Sequence, residues 1–150
     1  MEENLLTRIP KSIGACERLI VIDLAFNRLT DLPTSFGKLE RLKKLDLSRN
    51  QFGIFPGCIT HLVKLKEFWF VRNKIESLPP AIRGLVNLQY LWLMHNKITD
   101  LPQEIGELES LDRLEVSTSR RSCRASTWNS PEEKQGNRRK AEKFEYLFMK

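Results

Sequence analysis

The sequence predicts an α/β solenoid, in which parallel strands form a curved sheet on the concave side and short 3₁₀ or irregular helical segments form the convex side. Two observations predict this class. A Leu-Pro or Phe-Pro pair recurs every 23 residues, and apolar residues occupy equivalent positions in each interval. An asparagine recurs with the same period, at Asn27, Asn50, Asn73 and Asn96. A fixed period of this length indicates stacked copies of one small structural unit.

One unit shows how the pattern specifies the elements. In the unit that begins at Leu42, Leu45 and Leu47 alternate with polar residues, which is typical of a short strand with one buried face. Later apolar residues come at steps of three and four, which favours a turn of 3₁₀ or irregular helix. We expect Pro56 to end the strand, because proline lacks a backbone donor. Asn50 lies where the chain leaves the strand, and its amide can pair with backbone groups of the bend.

The repeats occupy residues 1–116, and a basic tail follows at residues 117–150. The array divides into a partial repeat, four full repeats and a second partial repeat, at residues 1–18, 19–41, 42–64, 65–87, 88–110 and 111–116. The tail carries 9 Lys or Arg and 4 Asp or Glu, whereas the array carries 16 and 15. The net charge of +6 therefore belongs mainly to the tail, which we expect to be mostly disordered. The nearly neutral array gives no reason to expect nucleic-acid binding.

Composition and motifs argue against several other classes. No apolar run approaches the ~20 residues that span a membrane, and residues 1–4 do not resemble a secretory signal. The cysteines are far apart in sequence, so we expect no metal or other cofactor and a reducing, cytoplasmic location. No phosphate-binding loop or nucleophile–base pair is evident, so we expect neither catalysis nor a small-molecule substrate. Cys16 takes a position equivalent to Leu62 and is expected in the core.

Strand alternation assigns the side chains that face a partner. Phe68 points inward in the unit that begins at Leu65, so its neighbour Trp69 points outward. The same rule predicts an apolar concave patch made of Trp69, Val71, Tyr90, Trp92 and Met94. These side chains either stabilise the sheet as cross-strand neighbours or anchor a partner, and we favour the anchor because other units place acidic residues there. A positive rim of Arg49, Arg72 and His95 would suit an acidic segment of that partner.

The motif L-x-x-L-x-L-x-x-N-x-L-x-x-L-P-x-x-I-x-x-L resembles the leucine-rich repeat family, in the Leu-Pro variety of intracellular Ras-suppressor-like and Scribble/Erbin-like proteins. The resemblance covers roughly residues 4–116, and it implies that the four repeated asparagines form a structural ladder. It also implies a non-enzymatic scaffold or adaptor in intracellular signalling, which binds a protein or peptide on its concave face. The alternative is a regulatory repeat segment, as a fragment or splice form, of a larger signalling enzyme such as a kinase or GTPase.

Overall fold

A computed structural model of the protein describes residues 4–116. In this part of the chain, 3₁₀ helices and strands alternate. The helices are η1 (Lys11–Ala15), η2 (Thr34–Lys38), η3 (Gly57–His61), η4 (Pro80–Gly84) and η5 (Gln103–Glu107). The strands are β1 (Val21–Asp23), β2 (Lys44–Asp46), β3 (Glu67–Trp69), β4 (Tyr90–Trp92) and β5 (Arg113–Glu115). The expected disorder of the tail concerns residues 117–150, which lie outside the described residues.

The strands form one parallel sheet in the order β1-β2-β3-β4-β5. Each residue pairs with the residue 23 positions later, as in Phe68 with Leu91 and Trp69 with Trp92. Adjacent strands lie ~4.8 Å apart, whereas packed helices need more room, so the stack curves with the sheet on the inner side. The fold class predicted from the repeat is thereby confirmed.

The core lies between the sheet and the 3₁₀ helices. The central residues of the inner strands, Leu45, Phe68 and Leu91, are fully buried. Phenylalanines fill the middle of the array, where the rings of Phe68 and Phe70 are 5.4 Å apart between centroids. Each unit therefore contributes one layer of a continuous core, which no unit can bury by itself.

The repeated prolines directly precede the helices and do not end the strands. The expectation for Pro56 is wrong, since β2 already ends at Asp46 and Pro56 directly precedes η3. Its φ of −67° is close to that of the first residues of a helix, where an N–H group has no intrahelical partner. The proline of every described unit occupies this same position, at Pro10, Pro33, Pro56, Pro79 and Pro102.

The first described repeat differs from the others in burial. Cys16 is exposed, so its expected place in the core is wrong, although the equivalent Leu62 is fully buried. Within residues 4–116, no earlier unit packs against this end of the stack, and the inward residues Ile22 and Leu24 are only half-buried, whereas the equivalent Leu45 and Leu47 are fully buried. At this end of the stack, the burial of an inward position therefore depends on a neighbouring unit as well as on its place in the repeat.

Candidate functional site on the concave face

The backbone leaves each of the first four strands through the same turn. The residue before each repeated asparagine has a positive φ between 55° and 59°, at Phe26, Arg49, Arg72 and His95. This left-handed conformation is costly for residues other than glycine, so the surrounding bonds must hold it in place. After this turn, the side chain of the asparagine points into the interior. The side chain of the residue with positive φ lies at the margin of the sheet.

The repeated asparagines bond to backbone groups of their own and neighbouring units. Asn50 Nδ2 donates to the carbonyl oxygens of Leu24 at 2.9 Å and Leu47 at 3.0 Å, and Asn50 Oδ1 accepts from the N–H of Leu29 at 2.9 Å. Asn27, Asn73 and Asn96 also combine donor and acceptor bonds to the backbone. Each of the four asparagines is buried. The bonds satisfy backbone groups that would otherwise be unpaired in the interior.

Three aromatic side chains meet at the centre of the sheet. The rings of Trp69 and Trp92 are stacked, with 4.6 Å between centroids and 3° between planes. Tyr90 continues the arrangement, at 5.7 Å from the Trp92 ring and 12° from its plane. The cross-strand register brings Trp69 of β3 next to Trp92 of β4, and Tyr90 lies two residues before Trp92 on the same face of β4.

The aromatic patch is only partly open to solvent. Trp69, Tyr90 and Trp92 are each half-buried, and so are Val71 and Met94 beside them. The structure thus brings together the five side chains that alternation turns outward. Stacking covers ring faces that a simple alternation rule would leave exposed, and the rings keep part of their surface open to solvent.

Acidic and basic groups flank the patch along the sheet. Lys44 Nζ pairs with Glu67 Oε1 at 2.8 Å, which neutralises the positions beside the aromatic rings. On the far side, Arg113 Nε donates to Glu115 Oε1 at 2.7 Å. These pairs are partly exposed and contribute little stability, so their main effect is on the local charge of the surface.

Two further carboxylates continue the column that contains Trp69. Asp46 is the register partner of Trp69, and Asp23 is the register partner of Asp46. Asp46 Oδ1 accepts from the N–H of Ser48 at 2.8 Å, and Asp23 Oδ1 accepts from the N–H of Ala25 at 2.9 Å. The sequence places Asp23 and Asp46 one strand apart in the same column, but the predicted site did not include them. Their shared column was the signal that identifies them as neighbours.

The three residues of the expected positive rim, Arg49, Arg72 and His95, differ in their surroundings. The guanidinium of Arg49 lies over the ring of Phe26, 4.7 Å from its centroid, which is a cation–π contact. Arg72 and His95 are exposed at the same margin of the sheet. The contact between Arg49 and Phe26 was not predicted from the sequence, because the equivalent positions of successive repeats were considered only for their charges. The two residues are nevertheless one repeat apart at the same position.

The helical side of the array carries a half-buried thiol at Cys58. Burial and, to a lesser degree, the charge of Asp31 raise the pKa of the Cys58 thiol to about 11, so this thiol is protonated at neutral pH. Within residues 4–116, no three His, Cys, Asp or Glu side chains cluster in a way that would hold a metal ion. The same stretch contains no helix with the length and apolar content needed to span a bilayer.

Comparison with known families and structures agrees with this architecture. The profile described as "Leucine rich repeat" matches residues 2–52 and 17–75, and the profile "Leucine Rich repeats (2 copies)" matches residues 63–106. No curated protein matches the chain significantly in sequence. The fold and these matches define a repeat solenoid with a solvent-facing sheet. The chain belongs to the leucine-rich repeat family.

Solved structures of longer proteins share the fold. The plant peptide hormone receptor RGFR1 in complex with RGF2 matches with a TM-score of 0.63 and 36% identity, over 73% of this chain and 18% of that chain. The PEPR1–AtPEP1 structure matches with a TM-score of 0.66 and 32% identity, over 73% and 16%. Internalin inlF from Listeria monocytogenes, at 21% identity, shows the fold alone, with a TM-score of 0.65 over 74% and 32%. The chain spans less than half the length of each of these proteins.

Proposed function

We propose that the chain is a non-enzymatic interaction module that binds a protein or peptide on its concave face. The observation that carries this proposal is the aromatic stack of Trp69, Tyr90 and Trp92 at the centre of the sheet. Large aromatic side chains surrounded by polar residues are the typical anchors of protein interfaces. Stabilisation of the sheet alone needs only modest cross-strand contacts, which aliphatic or polar pairs also supply.

One matched structure supports a peptide or protein as the ligand. The receptor RGFR1 is seen in complex with RGF2, and this chain is 36% identical to it over the matched region. A repeat sheet offers many side chains in regular columns and no deep cavity, a geometry that suits an extended ligand. The positive margin at Arg72 and His95 would orient an acidic segment of such a partner.

The cellular setting that we propose is cytoplasmic signalling, where the chain acts as a scaffold or adaptor. The Leu-Pro repeat type resembles intracellular Ras-suppressor-like and Scribble/Erbin-like proteins, and the cysteine usage suits a reducing compartment. A regulatory segment of a larger signalling enzyme is the second candidate. It involves the same concave face and differs only in what is attached to the repeats.

A quantitative capture experiment tests the concave site. Wild-type protein, a Trp69→Ala/Trp92→Ala double variant and an Ile54→Ala control are each incubated with cytoplasmic extract, and the retained proteins are quantified. Ile54 is 83% exposed and lies outside the strands, so its loss should not affect the concave face. We expect a partner that the control retains and the double variant loses, since truncation of an anchor weakens binding about thirtyfold.

Thermal unfolding of all three proteins provides the folding check. A folded double variant that retains every partner of the wild type would contradict the proposal. The convex side would then be the surface to investigate.

A further inference from the structure

We propose that the column of Asp23, Asp46 and Trp69 accepts an arginine side chain of the partner. This inference rests on the proposed concave binding site and specifies the chemistry of its ligand. It assigns a role to the two carboxylates beside the aromatic stack, which have no evident part in the core.

The ring geometry leaves one face of Trp69 available. Neighbouring strands are ~4.8 Å apart, and the Trp69 and Trp92 centroids are 4.6 Å apart, so the stack runs from β3 towards β4. Trp92 therefore covers the face of Trp69 that is directed towards β4. The opposite face is directed towards β2, where Asp46 is the register partner. Because the aspartate side chain is shorter than an indole, a flat group can lie against the ring and above the carboxylate.

The charges around this face suit a cation. Within residues 4–116, Asp23 and Asp46 form no ion pair with a basic side chain. The two carboxylates lie directly across from each other in the parallel register, and like charges in that position destabilise a sheet. Each carboxylate uses one oxygen to accept a backbone N–H group, which leaves the other oxygen for an incoming donor. A cation from a partner would relieve this repulsion.

The nearby basic side chains are already engaged elsewhere. Lys44, on the same strand as Asp46, pairs with Glu67. Arg49, three residues after Asp46, lies over the Phe26 ring. Since no basic side chain of residues 4–116 pairs with either carboxylate, a partner can supply the cation, and the array itself shows a suitable chemistry in the Arg49–Phe26 contact.

Arginine fits this surface better than lysine does. Its planar guanidinium can stack on the indole face and still present N–H groups to a carboxylate in the same plane. A lysine ammonium is a compact, strongly hydrated charge that gains less from a flat ring. The margin at Arg72 is positive, so a ligand that carries an arginine over Trp69 and an acidic residue near Arg72 would match both regions.

A displayed library of random short peptides tests the inference. The library is selected on wild-type protein, on the Trp69→Ala/Trp92→Ala variant, on Asp46→Asn and on Asp31→Asn. Asparagine keeps the oxygen that accepts the Ser48 N–H and removes only the charge. Asp31 is a matched control because its Oδ1 likewise accepts a backbone N–H, from Leu32 at 2.7 Å, and it lies outside the strands.

We expect peptides selected on the wild type to be enriched in arginine at one position and to depend on the two tryptophans. Replacing that arginine by its uncharged analogue citrulline should weaken binding about tenfold, as a desolvated charge pair with a cation–π contact would. Asp46→Asn should cause a similar loss that does not add to the citrulline effect. Asp31→Asn should leave the affinity unchanged.

The outcomes separate this inference from the proposed function. Peptides that require the tryptophans but show no arginine preference, or an arginine effect that persists in Asp46→Asn, would overturn the arginine site and leave the concave site standing. A selection that yields no tryptophan-dependent peptide would overturn both.

Discussion

Gly84 lies so close to the carbonyl group of Thr60 that a side chain has no space there. A Cβ atom built on Gly84 would be 2.5 Å from the Thr60 oxygen, which belongs to the backbone of the preceding helix. The same atom built on Gly57 would have no neighbour within 4 Å. The helices η3 and η4 thus approach each other closely at this point, because Gly84 has no side chain.

The first prediction follows from that contact. Gly84→Ala should lower the free energy of unfolding by about 1–3 kcal/mol, because the backbone of η3 has to shift to admit the methyl group. Gly57→Ala, in η3 itself, is the control and should be neutral or slightly stabilising, since alanine restricts the unfolded chain. Urea denaturation followed by circular dichroism measures both changes. Equal midpoints for the two variants would show that the helices can separate without cost.

The second prediction concerns the asparagine ladder. Asn50→Ala should destabilise the array by about 1–3 kcal/mol, because its loss leaves the buried N–H group of Leu29 without its partner. The oxygens of Leu24 and Leu47 each lose one of two amide donors and keep Asn27 and Asn73, respectively. Asn87→Ala is the matched control, since the Asn87 amide makes one exposed bond to the Val63 oxygen. Thermal unfolding compares the two variants. A small effect at both positions would mean that water replaces the buried bonds.

The third prediction concerns the left-handed turn at Arg72. Arg72 has a φ of 57°, which asparagine tolerates and a β-branched residue does not. Arg72→Val should therefore be less stable than Arg72→Asn by about 1–2 kcal/mol, although both changes remove the same charge. Differential scanning calorimetry provides the measurement. Identical transition temperatures for the two variants would contradict a rigid turn.

The fourth prediction concerns pH. The pKa of Cys58 is about 11 in the folded chain, above its ordinary value of 9.0, because burial and then the charge of Asp31 disfavour the thiolate. The contribution to stability is therefore present below about pH 9 and is lost as the pH rises towards 11. Over that range, wild type should lose more stability than Cys58→Ala does. Equal pH profiles in chemical denaturation would contradict the assigned burial of the thiol.

Much of the fold follows from periodicity in the sequence, and the exceptions have physical causes. The strand positions and the inward direction of Phe68 follow from alternation within a repeat of fixed length. The exposure of Cys16 does not follow, because burial at its position also depends on a neighbouring unit. The role of Pro56 was misjudged since its missing donor is equally acceptable at the entry of a helix, which alternation does not reveal.

The sequence predicts which residues form the candidate site, but it does not predict the contacts between their side chains. Alternation places Trp69 and Trp92 side by side, but the parallel stack that half-buries them depends on side-chain torsions. The contact between Arg49 and Phe26 likewise needs the left-handed turn, which brings both side chains to the same margin. Columns of equivalent residues therefore identify neighbours, whereas the contacts within a column require coordinates.

The unbroken register of the sheet also limits how the gene can change in length. Phe68 and Leu91 are partners because 23 positions separate them, and the same holds for every strand pair described. Insertion of a single codon within a strand would turn its inward side chains to solvent, since side chains alternate between faces. Duplication or loss of a whole repeat would leave each remaining residue in its own environment. Viable insertions and deletions in this array should therefore come in whole units.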